Sequence, residues 1–201
     1  VIMAGPAELV GDCFARLAPL TAYRWDLVGS LIGITSFTVL SFARAPSFVW
    51  GVVACAGYLA LSGAGRRRVI AVVGSLLVVG FLIAESLAPG VSWSPYYKVT
   101  TQRQPGDLTM IKANGVPHQT MAPAAWRISH GKGIYTAPYE RLPGNSLQDV
   151  LIVGAGSGSD VAIARLQGAA HIDAVDIDPR ILQIGLPANP DHAYQGDVGT
   201  Q

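Results

Sequence analysis

The sequence predicts an α-helical transmembrane segment followed by a small β-hairpin region and a truncated α/β domain built on a parallel sheet. Three observations lead there. Between Leu27 and Ala84 the only charged side chains are Arg44, Arg66, Arg67 and Arg68. The turn dipeptide Asn114-Gly115 separates two short runs of strand-like composition. From Asp149 onward the chain reads apolar run, glycine-rich turn, helical pattern, apolar run and acid. The corresponding divisions are 1–90, 91–148 and 149–201.

Half of the 201 residues are hydrophobic and 13% are charged, whereas a soluble chain carries roughly a quarter charged. The charges concentrate outside the 27–84 block, so two solvents are implied. The net charge of +1 rests partly on an arginine cluster between two apolar runs, which has a membrane explanation and points to no nucleic-acid partner. Cys13 and Cys55 form neither a CxxC nor a Cys/His pattern, and His118, His130 and His171 lack metal-ligand spacing. No disulfide framework and no metal are therefore expected. The chain starts at Val1 without the ordered regions of a signal peptide, and both ends are expected to be cut.

A helix needs about 20 apolar residues to cross a hydrocarbon core of roughly 30 Å, because unpaired backbone amides there cost several kcal/mol each. Three spans are predicted, at 27–43, 46–64 and 69–87. Trp25, Trp50 and Trp93 fall near their ends, where an indole keeps its ring apolar and its N–H wet. Small residues such as Gly29, Gly33, Gly51, Ala54 and Gly57 are read as packing positions. No acid or base lies inside a span, and Glu85 sits at an end, so a transport path is not expected. A multi-pass integral membrane protein, with the lipid bilayer as partner, follows; a buried all-helical soluble core is the alternative. Arg66, Arg67 and Arg68 put the turn between the second and third spans in the cytoplasm, which would send the C-terminal domain to the other side.

After Ser92 the composition becomes ordinary. Tyr96 to Thr100 and Leu108 to Ala113 read as strands, and Asn114-Gly115 tolerates φ > 0 at both positions, so a hairpin returns through Pro117 to Met121. A connector rich in Pro, Gly and Tyr runs from Ala122 to Gln148. Within it Tyr135 and Tyr139 are expected to pack the hairpin against the core rather than to line an acceptor pocket.

Val150 to Val153 reads as a strand, Val161 to Leu166 as a helix closed by Gly168, and His171 to Val175 as a second strand ending in Asp176. This is a βαβ unit, with right-handed crossover and parallel strands. Gly154 lets the chain turn off the first strand, while Gly156 and Gly158 are expected to leave room for a ligand and for the helix. Asp176 stands where a carboxylate can accept hydrogen bonds from both hydroxyls of a ribose. Asp178, immediately before Pro179, is the better helix cap and leaves Asp176 for the ligand. The final stretch, Asn189 to Gln201, is polar and aperiodic and is expected to be frayed.

The spacing is GxGxG rather than the GxGxxG of dinucleotide sites, and it resembles the first motif of class I S-adenosylmethionine-dependent transferases. The stretch DVLIVGAGSGSDVAIARLQGAAHIDAVDIDPRIL, with SPYYKV, NGVPHQ and IYTAPYERL before it, resembles spermidine synthases, especially the membrane-attached spermidine synthase-like proteins of bacteria. The resemblance covers about Ser92 to Tyr194. It implies a Rossmann-like, class I methyltransferase-type domain and a decarboxylated S-adenosylmethionine or S-adenosylmethionine cosubstrate without metal. It further implies an amine acceptor and aminopropyl transfer in polyamine biosynthesis, on the cytoplasmic side where the cosubstrate is made, against the arginine distribution. The donor-binding residues it implies are Gly154, Ala155, Gly156, Ser157, Gly158, Asp176 and Ile177, with Gln119 of the hairpin nearby. The family's proton-accepting aspartate belongs to a later strand, beyond Gln201, so a catalytic residue is not assigned and the fragment is expected to be inactive. Two positions depart from the family: Ser157 replaces an acid within the glycine motif, and Tyr97 stands where a glutamine is usual. A membrane-attached methyltransferase, and a transporter or sensor whose nucleoside domain only binds, are the alternatives.

Overall fold

The computed structural model describes residues 4–142, 147–195 and 198–200, which fall into two compact units divided after Ala43. The first unit is helical. It consists of α1 (Ala4–Arg16) and α2 (Pro19–Phe42). Pro19 occupies the first turn of α2, where its missing N–H is not needed, and Ala18 before it is extended. The helix thus starts eight residues before the predicted 27–43 span and carries Arg24 and Asp26 in its first turns.

The second unit begins with an antiparallel helical pair, α3 (Ser47–Leu61) and α4 (Arg66–Ser86). At 15 residues, α3 reaches only about 22 Å at 1.5 Å per residue, short of the roughly 30 Å hydrocarbon core. The helix within the predicted 46–64 range is therefore shorter than predicted: Pro46 precedes its start, and Ser62 after it is extended. By length and composition two helices, α2 at 24 residues and α4 at 21, can cross a membrane. Leu76, Leu77 and Phe81 of α4 are largely exposed. Where α3 and α4 meet, a side chain at Gly51 would come within 2.4 Å of Leu82 Cδ1, so the small residue permits the contact. Gly57, by contrast, faces open space.

Beyond α4 lies a four-stranded antiparallel sheet in sequence order, β1 (Val91–Trp93), β2 (Lys98–Gln104), β3 (Leu108–Ala113) and β4 (Val116–Met121). Asn114 and Gly115 take φ of 50° and 82°, the paired left-handed conformation that closes a two-residue hairpin. The strand predicted at Tyr96 to Thr100 starts later. The Ser94 hydroxyl accepts the N–H groups of Tyr96 and Tyr97, curling these residues into a turn before pairing begins. Val99, Ile111 and Met121 are fully buried, with Tyr97 and Ile184 packed against them. Each such side chain contributes about 1.5–3 kcal/mol by leaving water.

The connector contains α5 (Ala124–His130) and α6 (Ala137–Glu140), and Asp191 accepts the Ala124 N–H at the start of α5. Residues 143–146 of the connector lie outside the described residues. Then come β5 (Asp149–Val153), α7 (Ser159–Leu166), β6 (His171–Val175), α8 (Pro179–Ala188) and β7 (Val198–Thr200), with the strands parallel and in sequence order. This is a Rossmann-like arrangement. Val150 and Ile152 pack with buried Ile172 and Ala174 into a core shared with α7, whose Val161, Ala162, Ile163 and Ala164 are buried. The alternate residues Leu151 and Val153 are exposed. Gly168, at φ 90°, ends the turn after α7 as the sequence predicts. Asp178 caps α8 by accepting the Arg180 N–H at 2.8 Å.

The tail expected to be frayed is ordered along much of its length. Asn189, Ala193 and Tyr194 are buried, and β7 pairs with β6; residues 196, 197 and 201 lie outside the described residues. The helix α8 lies directly on the glycine turn. A Cβ at Gly185 would stand 2.7 Å from the backbone of Ser157. Gly185→Val is expected to cost about 1–3 kcal/mol through overpacking against backbone that cannot yield, read as a lower melting temperature in detergent micelles, whereas Gly57→Ala leaves that temperature unchanged or higher.

Candidate nucleoside site

The site is built from the turn between β5 and α7. Gly154 and Ala155 both donate their N–H to the Val175 carbonyl at the end of β6, at 2.8 and 3.1 Å, which curls the chain over the sheet edge. Gly156 has φ 56° and Gly158 has φ 91°, left-handed conformations that L side chains rarely adopt. Gly158 serves as the N-cap of α7.

Asp176 fastens this turn. One carboxylate oxygen accepts the Gly156 N–H and the other the Asp178 N–H, each at 2.7 Å. A carboxylate offers about four lone-pair sites, so the half-buried Asp176 retains acceptor capacity for hydroxyls. Ile177 beside it is 75% exposed.

Gln119, 38 residues from the turn, reaches it from β4. Its Oε1 accepts from the Ser157 hydroxyl at 2.9 Å and from the Ser157 N–H at 3.3 Å. The hairpin glutamine and the glycine motif are thus in contact. Ser157, however, is fully buried, and its hydroxyl and N–H are satisfied by Gln119 while its carbonyl accepts the Asn189 amide at 2.8 Å. It positions Gln119 and presents no surface to a ligand. Ala155 is also buried.

The room expected beside Gly156 and Gly158 is filled by protein. A Cβ at Gly156 would lie 2.8 Å from Gln119 Oε1, and one at Gly158 would lie 2.9 Å from both Ala193 and Tyr194. The Tyr194 hydroxyl donates to the Gly156 carbonyl at 2.7 Å. At Gly154, in contrast, a Cβ would meet nothing within 4 Å. The open face of the turn is therefore the Gly154 side, with the half-buried Asp176 and the exposed Ile177 following the neighbouring strand.

Asn189, Tyr194 and Gly185 complete the turn and carry no motif. The signals for them were faint: Asn189-Pro190-Asp191 is turn-forming, and a glycine inside an apolar helix marks a close approach. Tyr97 is a further member. Its ring stands 6.1 Å from His118. Burial foremost, and next the neighbouring Asp178 carboxylate, push its hydroxyl up to about 12. Asp178 Oδ2 is itself sealed from solvent without a well-directed hydrogen bond. Burial, then the charge of Asp176, raises Tyr194 as well, and burial with Asp160 raises Tyr139. No cluster of metal-ligating side chains occurs among the described residues.

The raised Tyr97 hydroxyl has a sign for stability. Its protonated form is favoured by the fold, so its contribution is complete below the ordinary value of 10.0 and is lost as pH rises toward about 12. The melting temperature in micelles is expected to fall across that window, with Tyr194 adding in the same direction. Tyr97→Phe should make the decline shallower; an identical slope in the variant contradicts the assignment.

No family model matches the chain, and no curated protein matches it. Among solved structures it is similar to a probable spermidine synthase from Corynebacterium glutamicum, with 13% identity, a TM-score of 0.40 and coverage of 57% of this chain and 44% of that one. The chain thus spans less than half the length of that structure.

Proposed function

We propose that this chain is the membrane-attached, donor-binding part of a transferase that uses a sulfonium nucleoside, with spermidine synthase-like aminopropyl transfer to an amine as its reaction. The observation that carries the reading is the open face at Gly154 beside Asp176, on a turn whose other side is fastened by Gln119 from the hairpin. A sulfonium donor has no phosphate, so a turn that offers a carboxylate and a free face, with little exposed N–H, suits it better than a dinucleotide. The donor supplies an electrophilic carbon on sulfur. The residues present would hold it: Asp176 would accept the ribose hydroxyls, and Ile177 and Gly154 would border the base. Gln119, bonded to Ser157, would keep the turn in shape from its other side. Alignment of donor and acceptor is the contribution expected of such a pocket.

One observation favours a second reading, methyl transfer from intact S-adenosylmethionine. Ser157 is neutral and buried where an acid would meet the amine of a decarboxylated donor. Equilibrium binding of labelled donors to the chain in micelles separates the two: tighter binding of the decarboxylated form supports aminopropyl transfer, and tighter binding of the intact form supports methyl transfer. In either case Asp176→Asn should weaken binding about tenfold or more, since it removes a charge-assisted acceptor. Undiminished affinity in that variant, or no binding of either donor by the parent, contradicts the proposal.

We read α2 and α4 as spanning the bilayer, supported by their length and by the exposed apolar side chains along them. The cytoplasmic side is proposed for the sheets because a sulfonium cosubstrate is made there, although the arginine distribution favours the opposite side. Extraction with alkaline carbonate is expected to leave the chain in the membrane fraction, and its release into the soluble fraction would contradict the assignment.

A further inference from the structure

A cavity of about 560 Å³ lies between the hairpin and α5, and neither Gly154, Asp176 nor Ile177 lines it. Its walls include Met110 of β3, His118 and Gln119 of β4, and Trp126, Arg127 and Tyr135. Gln119 belongs to both places. Its Oε1 holds Ser157 in the glycine turn while the residue lines this cavity. A molecule in the cavity would therefore be one side chain away from the turn.

The charge in this cavity is one-sided. Arg127 lines it and no carboxylate does, and among the described residues Arg127 makes no ion pair. Its guanidinium donates to the Tyr135 hydroxyl at 3.0 Å and to the Thr120 carbonyl, both neutral. It also lies 5.4 Å from the centre of the Tyr135 ring. Arg127 Nε is sealed from solvent without a partner, and a desolvated cationic donor without an acceptor is costly. Nη1 and Nη2 each carry two N–H groups and spend one apiece on Tyr135 and Thr120, which leaves one on each for a carboxylate.

The groups around the guanidinium are held in place. A Cβ at Gly131 would lie 2.3 Å from the Tyr135 ring, so that ring is seated against glycine backbone and braces the arginine. Trp126, 42% exposed and stacked on His130 at 4.4 Å, offers an aromatic wall. Fixed cation, aromatic wall and no acid form a site for a planar body carrying one negative charge. A simple diamine, doubly cationic at neutral pH, finds no carboxylate to pair with there and is repelled by Arg127.

We propose that this cavity binds a small planar amine bearing a carboxylate, with the anion on Arg127 and the body along Trp126. Resting on the transferase reading above, it is the acceptor pocket, and the acceptor is an anionic or zwitterionic amine rather than an alkyl diamine.

The test is isothermal titration of the whole 201-residue chain in micelles with three probes of one shape: 4-aminobenzoate, its neutral amide 4-aminobenzamide, and cationic 4-aminobenzylamine. The carboxylate is expected to bind about tenfold or more tightly than the amide, a ratio usual for a charge-assisted contact, and the cation to show no heat of binding. Arg127→Gln should abolish the difference between carboxylate and amide, and Trp126→Ala should weaken both. Because Arg127 also braces Tyr135, the parent protein supplies an independent reading: raising salt from about 50 to about 500 mM should lower the carboxylate's affinity several-fold and leave that of the amide unchanged. Equal affinities, preference for the cation, or no binding of any probe overturns the proposal. Binding of the carboxylate in a chain that binds no sulfonium donor would overturn the transferase reading and leave this site standing.

Discussion

The β5–α7 turn can be as tight as it is only because Gly156 and Gly158 adopt left-handed backbone without side chains. Everything around the site is arranged on that fact. Gln119 from β4, Gly185 and Asn189 from the end of α8, and Tyr194 beyond it all approach the same few peptide units. The side chains of Gln119, Asn189 and Tyr194 pair with backbone groups that would otherwise be buried unsatisfied, a cost comparable to a lost hydrogen bond. A methyl group at either glycine would meet neighbouring side chains and strain the backbone at once.

The same closeness makes the site narrow. With the Gly156 and Gly158 sides filled by protein, the reach of a ligand is confined to the Gly154 side, where Asp176 has spare acceptor capacity. Asp176 fixes the turn through the N–H groups of Gly156 and Asp178, and in the proposed reading its remaining acceptor capacity would serve the ribose. The helical pair is joined to this region through side chains. Glu85 near the end of α4 pairs with Lys98 at the start of β2 and accepts from the Ser47 hydroxyl. Lys98 follows Tyr97, which sits against the Asp178 cap. Arg44 donates to Gln183 on α8 at 3.0 Å. The position of the pair and the position of the α8 cap are thus linked through two short routes.

Much of this architecture was legible where local rules and tertiary packing agree. Asn114-Gly115 located the hairpin because few residue pairs take positive φ twice, and the β3 and β4 ends fall where that turn requires. Asp178-Pro179 located the start of α8 for a similar reason. The apolar helices were legible as apolar but not in length: Pro46 and the extended Ser62 cut α3 short, and composition carries no measure of where a helix ends within a uniformly apolar run. Tyr96 and Tyr97 have strand-forming composition, yet the Ser94 hydroxyl captured their N–H groups. The glycine turn and Asp176 could be read as a motif; their closure could not, since Asn189 and Tyr194 matter through contacts made across the fold. A polar stretch looks alike in sequence whether it frays or buries its polar groups against another loop.

In the proposed reading the open Gly154 face, and not the filled Gly158 side, would receive an adenosine. The most direct measurement is the amide spectrum of ¹⁵N-glycine-labelled chain in micelles, with Gly154 assigned by loss of its peak in Gly154→Ala, titrated with S-adenosylmethionine. A saturable shift of the Gly154 resonance is expected, with a much smaller change at Gly158. A spectrum unmoved at Gly154, or one moved chiefly at Gly158, would contradict it.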